Sequence, residues 1–145
     1  MSVQVDFYVL EANRQRSLLF ACHLLEKIHV ESKKIFVYTA SPQDAEQFDN
    51  LLWTYKDDSF LPHQIYNAED KFTPTIQISH EIPVTQHEIL LNLTAHVPEF
   101  YLAYLRLIEI VYIDAEVQAI ARERYRQYRD AGCKLNTIKL KAHEL

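Results

Sequence analysis

Strand-like and helix-like segments alternate from the start of the chain, and this pattern limits the fold more than any other feature. Residues 3–10 are β-branched and aromatic, and residues 14–30 then carry apolar side chains at helical spacing. A second strand at 35–38 precedes a helix with Ser41 as N-cap and Pro42 at its first position. Repeated β-then-α units pair in parallel through right-handed crossovers. We therefore predict one three-layer, Rossmann-like α/β domain over residues 1–145, with a mostly parallel sheet.

The rest of the chain continues this pattern after an interruption. Residues 55–75 lack periodicity and are predicted to form a long connection. Further strands are predicted at 75–79, 88–93 and 105–112, with a short helix at 98–104 between the last two. Asp114 is the predicted N-cap of a final helix that stops at Gly132. The helix after Pro42 is expected to bury one side, which carries Ala45, Phe48, Leu52 and Trp53.

Gly132 is the only glycine in the 145 residues. Phosphate-binding loops of the GxGxxG and GxxxxGK[ST] types need several glycines, because backbone amides must approach the anion closely. The domain is therefore predicted to lack a nucleotide-binding loop and to bind no nucleotide through one.

The residues that usually carry metal or catalytic chemistry are scattered. Cys22 and Cys133 are far apart, and Cys22 is expected to be a small buried thiol. The seven histidines show no metal-ligand spacing, and no GxSxG motif is present. We expect no metal, no cofactor and no catalytic site. The N-terminus lacks a basic segment followed by a long apolar stretch, which predicts a cytoplasmic protein with no membrane contact.

Charge is distributed unevenly along the chain. The formal net charge is −5, but residues 122–145 carry seven Lys and Arg against three acidic residues, whereas residues 1–121 carry eight against 17. The basic end can attract an acidic peptide or phosphate groups, and the acidic remainder would repel a nucleic acid laid across the whole surface.

The final helix concentrates the basic residues on one flank. At 100° per residue, the predicted buried face holds Val117, Ile120, Ala121, Tyr128 and Ala131. Arg122, Arg126 and Arg129 form an arginine stripe on one flank, separated from Glu116, Glu123 and Asp130 on the other. Tyr125 borders the stripe, and Arg124 projects near the core, where we expect it to pair with a carboxylate or with carbonyls. The alternative for the stripe is an ordinary solvated face.

Two motifs resemble those of a known family. The run ARERYRQYRDAG at 121–132, followed by LNT at 135–137, is similar to the C-terminal motif of the chi subunit of bacterial DNA polymerase III. Leu52 and Trp53, with SFLPH at 59–63, resemble that family's segment after the second helix. The resemblance spans essentially the whole chain.

This resemblance implies a non-catalytic adaptor that reaches DNA only indirectly. Chi subunits form a heterodimer with the psi subunit, which ties them to the clamp loader. They also bind the acidic C-terminal tail of single-stranded DNA-binding protein, which ends in Phe with a free carboxylate. In this chain Arg122 would grip that carboxylate and Arg126 would attract the acidic residues, while Tyr125 and Val111 would form the pocket for the Phe ring.

Two departures from the family pattern affect these expectations. Gln118 stands where the family has a basic residue one turn before Arg122, so the tail would bind more weakly or Arg129 would contribute instead. Residues 64–71 lack the glycines that family members often carry there.

Contact with psi is predicted on apolar groups away from the arginine stripe, at Trp53, Phe60, Leu61 and Pro62. The alternative is that Trp53 and Phe60 are core residues covering the sheet, and for Trp53 burial is the favoured interpretation. Phe60 and Leu61 are the stronger candidates for contact, because a loop flanked by acidic residues is harder to bury than a helix face.

Two other functions stay open from the sequence. Arginine and tyrosine side chains on the final helix could bind single-stranded nucleic acid directly by stacking on bases. Alternatively, the 55–75 loop could form the site of a degenerate α/β enzyme, although no catalytic set of residues is recognisable there.

Overall fold

The computed structural model describes residues 2–31, 33–57, 61–69, 75–83 and 87–145. Within these residues a single seven-stranded sheet forms, in which all neighbouring strands are parallel. The strands are β1 (Gln4–Leu10), β2 (Ile35–Tyr38), β3 (His63–Ile65), β4 (Ile76–Ser79), β5 (Ile89–Asn92), β6 (Arg106–Val111) and β7 (Lys134–Leu140). Their order across the sheet is β3-β4-β2-β5-β6-β1-β7. The predicted three-layer, Rossmann-like α/β fold is confirmed.

Three α-helices cover the sheet: α1 (Arg14–His29), α2 (Pro42–Thr54) and α3 (Ala115–Asp130). The connections through α1 and α2 run toward the β3 edge, whereas the connection through α3 runs toward the β7 edge. Because right-handed crossovers in opposite directions lie on opposite faces, α1 and α2 pack on one face and α3 on the other. The face with α3 also carries a 3₁₀ turn at Tyr101–Ala103, and a second 3₁₀ turn lies at Ala142–Glu144.

The predicted helix boundaries agree closely with the structure. The Ser41 hydroxyl accepts a hydrogen bond from the Asp44 amide at 3.1 Å, and the Asp114 carboxylate accepts from two amides of the first turn of α3. Gly132 has a φ of 85°, the left-handed conformation expected after a helix C-terminus. Each helix end is set by residues within a few positions of it, so the sequence was sufficient to predict it.

Two strands were missed. β3 lies within residues 55–75, where we predicted an unstructured connection, and its three residues are too few to show periodicity. β7 forms one edge of the sheet and is exposed or half-buried along its whole length, so it carries little apolar signal. Both strands are ordered by pairing with a neighbour that is distant in sequence, β4 for β3 and β1 for β7.

A polar cluster links β7 to β1, its neighbour in the sheet, and to β6 beyond it. The Asp6 carboxylate on β1 accepts from Arg106 Nε on β6 at 2.7 Å and from Asn136 Nδ2 on β7 at 2.9 Å. Asp6 is buried, so the loss of its hydration must be offset by such charge-assisted hydrogen bonds. This contact gives Asn136, part of the LNT segment, a structural role in attaching the edge strand.

The domain has two apolar cores, one on each face of the sheet. Cys22 belongs to the core under α1 and α2. The expected buried thiol is confirmed, since Cys22 is fully buried in the core between the sheet and α1 and α2. Burial raises the pKa of the Cys22 thiol to about 12, so it is protonated at neutral pH.

Replacing Gly132 tests the left-handed turn after α3. No atom lies within 4 Å of the position that a Cβ would occupy, so the cost of Gly132→Ala comes from the backbone conformation and not from a clash. We expect Gly132→Ala to lower the free energy of unfolding by about 1 kcal/mol and Gly132→Asn by less, measured by urea denaturation. Equal losses for Ala and Asn would contradict this explanation.

Candidate functional site

Three residues separate β6 from helix α3, which packs over the sheet through one narrow face. Ala121 and Tyr128 are buried as predicted, while Val117 and Ile120 are half-buried. Ala131 was predicted to be buried and is exposed, because α3 ends at Asp130 and the Gly132 turn leads the chain toward β7.

Arg124 is attached to the sheet by a buried ion pair, which confirms the expected pairing. Only 5% of Arg124 is exposed; its Nη2 lies 3.2 Å from Glu109 Oε1, and its Nη1 donates to the Ala95 carbonyl at 2.9 Å. Glu109 Oε2 accepts from the Tyr128 hydroxyl at 2.6 Å and from Asn92 Nδ2 at 3.0 Å. Burial raises the pKa of Glu109, and Arg124 is the strongest influence opposing that rise.

The arginine stripe is less free of acidic neighbours than its sequence pattern predicted. Arg126 forms a 3.0 Å ion pair with Glu123, and Arg129 lies 3.3 Å from Asp130. The predicted separation is wrong for these two residues, since neighbouring long side chains reach across the helix surface. Arg122 differs, because it is exposed and forms no ion pair or hydrogen bond with any residue that the structure describes.

Tyr125 and Val111 belong to one apolar cluster beside the stripe. The half-buried Tyr125 ring lies 5.4 Å from the Phe7 ring on β1, and Val117 packs against the same cluster. Val111, at the end of β6, is only 4% exposed, so it supports this surface from below and offers little area of its own. On α3, Arg122 and Tyr125 are three residues apart and therefore neighbours on the helix surface.

The end of α2 and the edge strand β3 carry a second apolar surface. Trp53 is 57% exposed, so the favoured expectation that it lies in the core is wrong. Its ring packs against that of the buried His63 at 4.6 Å. His63 Nδ1 lies 2.6 Å from the Leu61 carbonyl oxygen, and its Nε2 lies 3.4 Å from Asp49 Oδ1. The preceding residue on α2, Leu52, takes the core position and is 1% exposed.

The other residues predicted for this surface differ in exposure. Leu61 is buried with 5% exposed and packs in the core under α1 and α2, which contradicts its predicted exposure in the loop. Pro62 is exposed, and Phe60 lies outside the described residues. Ile65 on β3, which the sequence did not single out, is 43% exposed beside them in the chain.

Two other kinds of site are absent from the described part of the chain. Its histidine, cysteine and acidic side chains form no group of three or more that could hold a metal ion. None of its helices combines the length and the apolar character needed to cross a membrane.

The geometry defines a Rossmann-like α/β domain whose distinctive surfaces are an arginine-bearing helix and an exposed tryptophan at a sheet edge. Comparison with solved structures agrees on the fold: T4 UvsW superposes with a TM-score of 0.64 over 97% of this chain and 41% of that one, at 9% identity.

Sequence comparison identifies the family. The family model for the DNA polymerase III chi subunit, HolC, matches residues 1–136. The DNA polymerase III subunit chi of Pseudomonas aeruginosa is 30% identical over 138 residues, covering 94% of this chain and 96% of the relative. The subunit chi of Haemophilus influenzae is 29% identical and covers 94% of this chain and 97% of the relative. The subunit chi of Escherichia coli is 25% identical and covers 80% of each chain. The chain belongs to the chi subunit family of DNA polymerase III, whose members are replication accessory subunits.

Removing the buried cation tests the attachment of α3. Arg124→Met should lower the free energy of unfolding by about 3 to 5 kcal/mol, because it leaves Glu109 buried without its counter-charge. Adding Glu109→Gln should restore part of that loss, since a neutral amide needs no counter-charge. Both are measured by urea denaturation.

Arg126→Met is the matched control for this experiment. Its exposed ion pair with Glu123 should be worth less than about 1 kcal/mol. If the double variant is no more stable than Arg124→Met, the loss arises from packing and not from the unpaired charge.

Proposed function

We propose that this chain is a non-catalytic adaptor of the cytoplasmic replication machinery. It pairs with the psi subunit, through which it joins the clamp loader, and it binds the acidic C-terminal tail of single-stranded DNA-binding protein. Membership of the chi family supports a replication role. The tail-binding site is argued from Arg122, which is exposed beside Tyr125 and has no partner among the described residues.

The chemistry of a peptide C-terminus suits this site. A guanidinium donates two parallel, charge-assisted hydrogen bonds to a carboxylate, and Arg122 has no intramolecular partner among the described residues to give up first. The Tyr125 ring, supported by Phe7 and Val111, offers an apolar wall for a terminal aromatic side chain.

Arg126 and Arg129 play a smaller part in this proposal than the stripe pattern suggested. Each already contacts a carboxylate on its own helix, so an incoming acidic residue would have to compete with Glu123 or Asp130. Their contribution is a screened attraction that weakens with salt.

Arg122→Ala should weaken binding of an acidic, Phe-terminated peptide by about 1.5 to 3 kcal/mol, the range for hydrogen bonds to charged groups. Arg122→Lys should restore part of the loss, because an ammonium lacks the planar fork. Isothermal titration calorimetry measures both, and amidating the peptide's C-terminus should reproduce the effect of Arg122→Ala.

Arg129→Ala is the matched control, since it removes the same charge from the same helix at a residue already paired with Asp130. Equal losses for Arg122→Ala and Arg129→Ala would indicate general electrostatic attraction and contradict a carboxylate site at Arg122. Titration with a single-stranded oligonucleotide tests the alternative function, direct binding of single-stranded nucleic acid. Oligonucleotide binding as tight as peptide binding would favour that alternative.

The proposed psi-docking surface consists of Trp53, Pro62 and Ile65, together with Phe60 of the adjoining segment. Trp53 and Ile65 are large apolar side chains exposed at the β3 edge of the sheet, and aromatic anchors of this kind dominate stable interfaces. Leu61 would support the surface from within the core. The arginine stripe lies on the opposite face, carried by α3, so both partners could bind at once.

Trp53→Ala and Phe60→Ala should each abolish co-purification with psi while leaving the peptide titration unchanged, and Arg122→Ala should do the reverse. Leu102→Ala is the control, because Leu102 is another large apolar side chain exposed on the face with α3. Retention of psi by both Trp53→Ala and Phe60→Ala would place the contact elsewhere.

A further inference from the structure

A cleft opens where β2, β5 and β6 end, and no step of the proposed adaptor function uses it. Its volume is about 220 Å³. Leu18, Phe48 and Ile110 line it from the core under α1 and α2, and Val117 lines it from the core on the face with α3. The cleft therefore reaches both faces of the sheet around its carboxyl edge.

The cleft lies at a point where the chain direction changes. From β2 the chain continues into α2 on one face, whereas from the neighbouring β5 it continues into the 3₁₀ turn on the other face. The two connections diverge and leave a gap between them. In parallel α/β sheets this position, outside the carboxyl ends of the strands, is where ligands bind.

Two buried hydrogen-bond donors at this cleft have no acceptor. Ser17 is 1% exposed and lines the cleft, and its hydroxyl contacts no hydrogen-bond partner in the described residues. Arg124 also lines it, and its Nε–H is unpartnered there although both of its terminal nitrogens are engaged. Because a buried donor without an acceptor is destabilising, a ligand that supplies the acceptor would gain binding free energy there.

Charge and size limit the ligand. Arg14 and Asp44 both line the cleft and carry opposite charges, and the charge of Arg124 is neutralised by its ion pair with Glu109. The cap residues Asn13 and Ser41 already accept from amides at the starts of α1 and α2, which leaves fewer donors for an anion. A cavity of roughly 150 Å³ is enough for benzene, so this cleft has room for one ring or branched chain with a small polar group, and not for a dinucleotide.

We propose that this cleft binds a small, uncharged amphipathic molecule: an apolar group of about one ring in size, carrying a carbonyl oxygen that accepts from the Ser17 hydroxyl. The site is separate from the proposed tail site, because Ile120 and Arg124 lie on one flank of α3 and Arg122 and Arg129 on the other.

Benzamide is the probe, with toluene lacking the acceptor and benzoate carrying a charge. In ¹H–¹⁵N spectra of the full chain, benzamide should shift the amide signals of Thr39, Leu93 and Ile120 with a dissociation constant in about the millimolar range. Toluene and benzoate should bind more weakly. Ser17→Ala should weaken benzamide binding by about three- to tenfold while leaving toluene unchanged, as expected for one hydrogen bond.

Leu51→Trp, which fills the cleft from α2, should abolish binding of both benzamide and toluene. If its spectrum shows an unfolded chain, Ile120→Trp fills the same space from α3. Leu102→Trp, outside the lining, is the control and should bind benzamide normally.

Three results would overturn the proposal: no shifts with benzamide up to its solubility limit, equal binding of benzamide and toluene, or unchanged binding in a folded, filled variant. The tail-peptide titration is independent of this test, because Ser17→Ala leaves Arg122 and Tyr125 untouched.

Discussion

The buried contact between Arg124 and Glu109 determines how helix α3 sits on the sheet, and both candidate ligand sites depend on it. A guanidinium and a carboxylate removed from water must meet in good geometry, because either one alone would be strongly destabilising. Tyr128 and Asn92 both donate to Glu109 Oε2, and the Ala95 carbonyl accepts from Arg124 in the segment after β5. The helix therefore has one favourable rotation about its axis. In that rotation Arg122 points to solvent and the other flank of α3 lines the cleft at the carboxyl edge.

The same interaction separates structural arginines from available ones on a single helix. Arg124 forms a buried ion pair with Glu109, and Arg126 and Arg129 form ion pairs with carboxylates on their own helix. Arg122 is exposed and has no partner among the described residues. Four similar side chains thus differ in the free energy needed to release them for a ligand. A ligand carboxylate meets the smallest intramolecular competition at Arg122, so the proposed specificity arises from pairing within the helix as much as from the local density of positive charge.

The fold places the two proposed partner surfaces on different faces of the sheet. Crossovers in opposite directions put α1 and α2 on one side and α3 on the other. Trp53, at the end of α2, belongs with the β3 edge, whereas Arg122 belongs with the opposite face near β7. The proposed adaptor role requires this separation if both partners are to bind at once, and crossovers of opposite direction in a parallel sheet provide it.

Local signals in the sequence were sufficient for the fold class, most helix and strand positions, the caps at Ser41, Asp114 and Gly132, and the inward direction of Arg124, because each follows from neighbouring residues and their periodicity. Membership of the family was also visible in two short motifs. Pairing distant in sequence decided the rest. Strands β3 and β7 exist because β4 and β1 offer them hydrogen bonds, and Leu61 is buried because α1 and α2 close over it. The ion pairs of Arg126 and Arg129 join residues of the same helix, and only the side-chain conformations in the structure revealed them. The exposure of Trp53 and the cleft between β2 and β5 depend on which side chains meet in space. That information resides in the packed chain, since no single segment contains both partners of those contacts.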